Sequence, residues 1–521
     1  MRIKGRTEKS MYNVLTGVFG QGLSFILSFI TRTVFVKTLG EMYLGLNGLY
    51  TNIISVLGLA ELGVGTAIVI ELYRTVAENN DEKTKQYIQF YKKAYNCIGA
   101  VILTIGLAIT PFLQHLIKDA DAVGELINYK LVFLFYLVNV AFSYFSFAYR
   151  LSILQANQEE YRSRLLTYVF KIIETVLQIV TLLVFRNIYL YLIIPLALGI
   201  VQQTIRGILI GKWYPIVLQK PQGKLSKNEL KNTTRNVFSV TLFKISGTVI
   251  NSTDNILLSS FIGLTITGLY SNYLILTSAI KTILEKVFTA FIASLGNLNV
   301  DAKDDLDKKY NIFNVLSFLN FWVYGFCGVC LFALFDPFIT IWIGKEYVMN
   351  IATESLIILD LLVVGLQETV GTHCAAYGLF YRCRYRPIFS VSLNIIFSVI
   401  FVKFMPVKYG VVAVLLGTVL SNLFSTFWYT ARVLHKEAFN RSATSFYLRF
   451  AYRMLYCIVM CIAFKWITSI LPLQGVSLVV VSLLLCIVIY NLIFILVFHK
   501  SPELKYAKDA ILSLTKIRRK G

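Results

Sequence analysis

Too few charges are present to cover a soluble fold: Asp, Glu, Lys and Arg together make up 15% of the 521 residues, against 56% hydrophobic. The acidic side is the thinner one, with 28 Asp and Glu against 50 Lys and Arg. No Walker-type phosphate loop occurs, so the sequence carries no signal for ATP as a drive. No His and Cys residues fall at metal-ligand spacing, and no large polar loop is available to hold a catalytic base on the outer side. These absences argue against an enzyme and against a metal or other cofactor. The eight cysteines make no extracellular disulfide framework. Seven fall inside apolar stretches, and the pair Cys327 and Cys330 has no companion ligands, so they read as small packing residues.

What is abundant is apolar sequence. Mean hydropathy is +0.66, and between Tyr12 and Phe498 lie about fourteen apolar stretches of near-helical membrane length. A hydrocarbon core roughly 30 Å thick needs about 20 helical residues to cross. The expected fold class is an all-α integral membrane protein with about 14 transmembrane helices. Among these spans are a second at 44–70, a seventh at 237–262 and an eighth at 268–296. The N-terminal apolar run is too long for a cleaved signal, contains Gln21 and Arg32, and reads as an uncleaved first span.

A net charge of +22 first suggests nucleic acid, but its placement points elsewhere. With a cytoplasmic N-terminus, 36 of the 50 Lys and Arg fall at the inner side, 8 at the outer side and 6 within spans. That asymmetry is the positive-inside pattern; it places both termini in the cytoplasm and sets the basic surface against anionic headgroups. No nucleic-acid partner is expected.

The longest polar break, from about Gly211 to Arg235, divides the spans into six, six and two. The expected domains are an N-terminal six-helix bundle (1–210), a cytoplasmic linker (211–236), a second six-helix bundle (237–435) and two further helices with a basic tail (436–521). Even numbers of spans make any repeat a parallel one. Leu39-Gly40, four residues, then Gly45-Leu46 recurs as Ile262-Gly263, four residues, then Gly268-Leu269, at an offset of 223 that also places Tyr50 on Tyr273. This points to a duplication.

Polar residues inside the spans are the candidate functional groups. Asn13, Gly17, Gln21, Ser24, Ser28 and Arg32 fall within about 100° on one face of the first span. Lys244, Thr248, Asn251, Asp254 and Asn255 make a similar stripe on the seventh. Two explanations stand: helix–helix contact or the lining of a polar cleft. A charge near the midplane costs about 2.5–3.5 kcal/mol, which favours the cleft for Arg32, Lys244 and Asp254. Lys171 with Glu174 and Lys281 with Glu285 have spacings that let them pair within their own helices, or they serve transport directly. Glu61, Asp360, Glu368 and His373 also lie in spans, where they could exchange a proton, hold Na⁺ or pair with a lysine from another helix. Several cations in a cleft suit an anion, and phosphate above all.

Thr38-Leu39-Gly40-Glu41, Gly45-Leu46, Leu57-Gly58-Leu59 and Glu61-Leu62-Gly63-Val64-Gly65 resemble the opening of the Wzx-type polysaccharide biosynthesis flippases. Asp254-Asn255-Ile256-Leu257-Leu258, Gly263 and Gly268-Leu269-Tyr270-Ser271 resemble the opening of their second half. These belong to the multidrug/oligosaccharidyl-lipid/polysaccharide exporter superfamily, and the likeness extends over nearly the whole chain. It implies two pseudo-symmetric six-helix bundles about a central cavity, plus two C-terminal helices. It also implies movement of a polyprenyl-diphosphate-linked oligosaccharide between leaflets of the cytoplasmic membrane, together with a glycan polymerase and glycosyltransferases. Arg32, Lys244 and Lys281 would hold the diphosphate; Asp254, Glu285 and Glu61 would balance charge or couple H⁺ or Na⁺. Lipid II flippases and ion-coupled multidrug antiporters of the same superfamily are alternatives, as is a non-transporting scaffold.

Overall fold

The computed structural model describes residues 6–61, 64–118, 120–227, 229–230, 249–250, 252–301, 305–379 and 382–506. Among them there is no strand. In the membrane each helix satisfies its own backbone polar groups, which is why apolar runs of this length take no other form.

The chain forms two compact units, Met1–Gly268 and Leu269–Gly521. In the first, α1 (Arg6–Leu39) is followed across Gly40 by α2 (Glu41–Leu57), α3 (Val64–Ala77), α4 (Asp81–Ile109), α5 (Ala120–Leu126) and α6 (Tyr129–Phe145). Short α7 (Leu151–Ala156) leads to α8 (Glu160–Phe185) and α9 (Ile188–Trp213), and α10 (252–257) widens into a π turn over Leu258–Ile262. The boundary between units falls in the first turns of α11 (Leu264–Thr289).

The second unit continues with α12 (Ile292–Asp301), α13 (Leu306–Trp342), α14 (Ile351–Gly365), α15 (Glu368–Ala376), α16 (Arg386–Phe404) and α17 (Gly410–Asn422). It ends with α18 (Trp428–Phe439), α19 (Thr444–Ile470), α20 (Gly475–Leu485) and α21 (Asn491–Phe498). Its centre is α13, packed by α14, α19 and α20, with Phe313, Phe321, Phe335 and Ile339 wholly buried.

Ten helices are long and apolar enough to cross a membrane, or eleven if α5 and α6, bent by 82°, make one span. The expected count of about fourteen is therefore not reached among the described residues, for visible reasons. The expected second span is interrupted: α2 stops at Leu57, a 3₁₀ turn covers Gly58–Glu61, and α3 begins at Val64. Half of the expected seventh lies outside the described residues. The eighth, α11, is 26 residues long but diluted by Asn272, Lys281, Glu285 and Lys286.

The repeated motif has equivalent local structure in both copies. Gly40 (φ 86°) and Gly263 (φ 128°) each hold the left-handed backbone that lets one helix end and the next begin. Five residues on, the copies touch each other, all four residues involved lying in the first unit. A β-carbon on Gly45 would sit 2.0 Å from the Leu264 carbonyl oxygen, and one on Gly268 would sit 2.3 Å from that of Glu41. The contact is reciprocal at the offset of 223, and only glycine fits either place. Tyr50 and Tyr273 are also alike: both are wholly buried, each packed edge-on to a phenylalanine, Phe133 at 5.4 Å and Phe335 at 4.9 Å.

Within the first unit, the described part of the long polar break is anchored on the start of α4. Asn80 caps that helix by accepting from the Lys83 amide at 3.0 Å. Lys83 then reaches Glu229 at 2.7 Å, while Glu82 accepts from the Gln222 amide at 2.5 Å.

Candidate functional site

In the first unit, the N-terminal half of the α1 stripe is used for packing. Asn13 donates to the Gln158 carbonyl at 2.8 Å and accepts from the Tyr161 amide at 2.8 Å. Arg164 of α8 donates to the Asn13 carbonyl at 3.1 Å, and its guanidinium occupies the place a β-carbon on Gly17 would take. Asn13 and Gly17 thus join α1 to α8, as small and polar residues do between membrane helices. Arg32, farther along α1, is half-buried; one turn on, Phe35 packs against Tyr191 of α9 at 5.1 Å. Asp254 is buried in α10. Lys244 lies outside the described residues.

Glu61 stands at the interruption of the second span, where the helix backbone is broken. Its two carboxylate oxygens accept from Tyr95 of α4 and Tyr144 of α6, each at 2.5 Å. Tyr91 in turn donates to the Tyr95 hydroxyl at 2.9 Å. Gly65 makes room for this chain, since a β-carbon there would lie 2.8 Å from the Tyr91 hydroxyl. Four residues apart on α4, Tyr91 and Tyr95 share one face, so helix periodicity sets the relay. Broken helices at membrane depth are tolerated where they line a cavity or are buried in protein.

In the second unit, Lys281 does not pair with Glu285. It reaches across from α11 to Asp360 of α14 at 2.8 Å, and Asn422 of α17 donates to the other Asp360 oxygen at 3.1 Å. Glu285 is exposed. The correction has a physical cause: an acceptor already oriented by Asn422 holds the ammonium better than a free-swinging glutamate one turn away. In contrast, Lys171 and Glu174 do pair within α8, at 2.8 Å. His373 is wholly buried, its Nδ1 2.8 Å from the Thr369 carbonyl oxygen and its ring edge-on to Phe313 at 5.1 Å. It is a core residue.

A second ionic cluster had no visible signal in the sequence beyond a charge within a span. Lys465 of α19 lies 2.8 Å from Asp336 of α13 and 2.8 Å from the wholly buried Glu354 of α14. Tyr273 donates to Glu354 at 3.1 Å and accepts from the Met349 amide at 2.8 Å. Three helices therefore meet on one lysine, and α11 joins them through Tyr273 on Glu354. Glu61's tyrosines were equally hidden, because Tyr91, Tyr95 and Tyr144 are three among 31.

Chemically, the Lys281 cluster is the one suited to exchange. The Lys281 side chain is part exposed, at 33%, so an incoming anion could compete with Asp360 for it. Lys465 is more enclosed and bound on two sides.

The comparisons with known proteins agree with this architecture. A family model described as "Polysaccharide biosynthesis protein" matches residues 10–292, more than half of the chain. The chain belongs to that polysaccharide biosynthesis family and is a multi-pass membrane protein. Among solved structures, it is similar to an inward-facing multidrug resistance MATE family transporter of the MOP superfamily. That match has a TM-score of 0.62 at 15% identity, covering 79% of this chain and 94% of the other. It is also similar to the lipid II flippase MurJ in an inward closed conformation, with a TM-score of 0.61 at 17% identity, covering 93% and 99%. At these identities the likeness is one of fold. No curated protein matches the chain.

Proposed function

We propose that this protein is a flippase that moves polyprenyl-diphosphate-linked oligosaccharide repeat units from the cytoplasmic to the outer leaflet, for a surface or secreted polysaccharide. It is read as a transporter working by alternating access and not as an enzyme, placed in the cytoplasmic membrane with both termini inside. Two six-helix bundles joined by the 211–236 linker, with the last two helices added, are the proposed domains. Family membership supports the glycan pathway, and the shared fold supports transport.

The observation that carries the site is Lys281 on Asp360. A diphosphate carries more negative charge and more acceptor oxygens than one carboxylate, so through charge-assisted hydrogen bonds it would draw Lys281 away. Asp360, left without its cation at membrane depth, would then need another partner. Exchange of this kind couples substrate binding to ion movement without any ATP site. Arg32 and Lys244 are the further cations proposed for the diphosphate, with Asp254, Glu285 and Glu61 as charge-balancing or ion-coupling groups.

The test is the leaflet distribution of polyprenyl-diphosphate sugars in cells depleted of the protein. A completed repeat unit should accumulate on the cytoplasmic face, and Lys281→Ala should fail to clear it while inserting normally. Accumulated lipid II would favour a cell-wall flippase. An unchanged lipid pool would favour drug or ion export and overturn the reading.

A further inference from the structure

Beside Glu61 the first unit holds a cavity of about 610 Å³, within the range of roughly 300–1,000 Å³ typical of small-molecule sites. Its walls combine aromatic rings, among them Tyr73, Tyr91 and Tyr144, with the neutral side chains of Gln155 and Gln203. Glu61 and Glu160 are its carboxylates, and none of its described lining residues is Lys or Arg. Glu160 is engaged by Arg164 at 2.9 Å. Glu61 is bound only by neutral phenol hydroxyls among the described residues.

This wall is matched to one kind of ligand. A carboxylate oxygen accepts more than one hydrogen bond, so Glu61 keeps capacity for donors besides its tyrosines. Amides offer both donors and acceptors, and an aromatic face covers the apolar C–H side of a sugar ring. An anion is disfavoured, because among the described residues no cation bonds Glu61 to offset it. We propose that this cavity is a subsite for an uncharged saccharide, receiving the sugar portion of the substrate while the diphosphate binds elsewhere. The proposal rests on the flippase reading. It assigns division of labour: neutral sugar at the tyrosine-lined carboxylate, phosphate at lysine.

A brace for the interrupted span would also use Tyr91, Tyr95 and Tyr144, so the deciding variants must leave those bonds alone. Tyr73 is 46% exposed, and among the described residues Gln203 bonds only to Arg206 of its own helix, accepting at 3.2 Å. The experiment is saturation-transfer NMR on the full chain in nanodiscs, with chitobiose, lactose and maltose as neutral probes. A uronic-acid disaccharide and inorganic diphosphate serve as anionic ones. Neutral probes should bind, the uronate roughly tenfold or more weakly, and diphosphate should not displace them. Tyr73→Ala and Gln203→Ala should each weaken neutral binding by about threefold or more with unchanged thermal unfolding. Failure of all three neutral probes, preference for the uronate, or indifference to both variants would overturn the subsite. Binding of sugar-free undecaprenyl diphosphate, with its loss in Lys281→Ala, is measured alongside. If it persists while saccharides fail, only the subsite falls; if both fail, the flippase reading falls with it.

Discussion

In the first unit the carboxylate of Glu61 is held by the hydroxyls of Tyr95 and Tyr144, with no cation among its described partners. In the second unit Asp360, Asp336 and Glu354 are all held by lysines, Lys281 for the first and Lys465 for the other two. Both arrangements answer the same demand, since a charge far from water must find partners. They differ in what remains. Phenols leave the negative charge uncompensated and available, whereas a lysine cancels it. The second unit can afford ion pairs in its core because α19 and α20 enclose α13; three of its spans bury 61% of their most apolar window, against 11–22% for the spans of the first. The pair of Lys465 with the buried Glu354 locks helices together, the part-exposed pair of Lys281 with Asp360 is open to exchange, and the phenol-held carboxylate sits beside an open cavity.

That contrast is open to attack by mutation, and the largest effect belongs to the second unit. Lys465→Met strands the wholly buried Glu354 and should destabilise the protein by about 3–5 kcal/mol, read as thermal unfolding of the purified protein. A silent Lys465→Met would mean that the cluster holds nothing together. In the first unit Tyr95→Phe or Tyr144→Phe removes one hydrogen bond to a charged group. Each should cost about 1.5–3 kcal/mol in the same assay. Tyr91→Phe, which removes only a bond between neutral hydroxyls, should cost about 0.5–1.5 kcal/mol. If Tyr91→Phe proved as damaging as Tyr95→Phe, the relay would not end on Glu61 in the way described.

The smallest effect concerns the polar break outside the membrane. The Lys83 ammonium, hydrogen-bonded to Glu229 at 2.7 Å, holds that carboxyl down to about 2 from an ordinary value of 4.5. A depressed carboxyl stabilises the docked segment above its ordinary value and loses that contribution as pH falls toward the depressed one. Protection of the segment around Glu229 from proteolysis should therefore be full at neutral pH and decline between pH 4.5 and about 2. Lys83→Ala should reproduce the decline at neutral pH.

Legibility from sequence varied with how local each feature is. The Lys171–Glu174 pair was readable because both residues ride one helix and its pitch sets their separation. The glycine repeat was readable too, since left-handed turns at Gly40 and Gly263 demand a particular residue. The partner of Lys281 was not: Glu285 has the right spacing, yet Asp360 lies 79 residues away and wins by virtue of Asn422. The α1 stripe was read correctly as polar, but whether Asn13 and Gly17 face a cleft or a helix depends on where α8 lies. Nor did hydropathy reveal the interruption after Leu57, because the apolar sequence continues through it.

Composition and apolar run length by themselves determined an all-helical membrane protein, because a chain in hydrocarbon has no other way to satisfy its backbone over so many spans. Motif spacing located the repeated turn, since a backbone too close for any β-carbon leaves glycine as its mark at both copies. Tertiary structure alone decided which charges neutralise each other and which stay available: Lys281 for Asp360, Lys465 for Glu354, phenols for Glu61. Those choices are made between helices far apart in sequence, where distance and orientation rather than residue type select the partner.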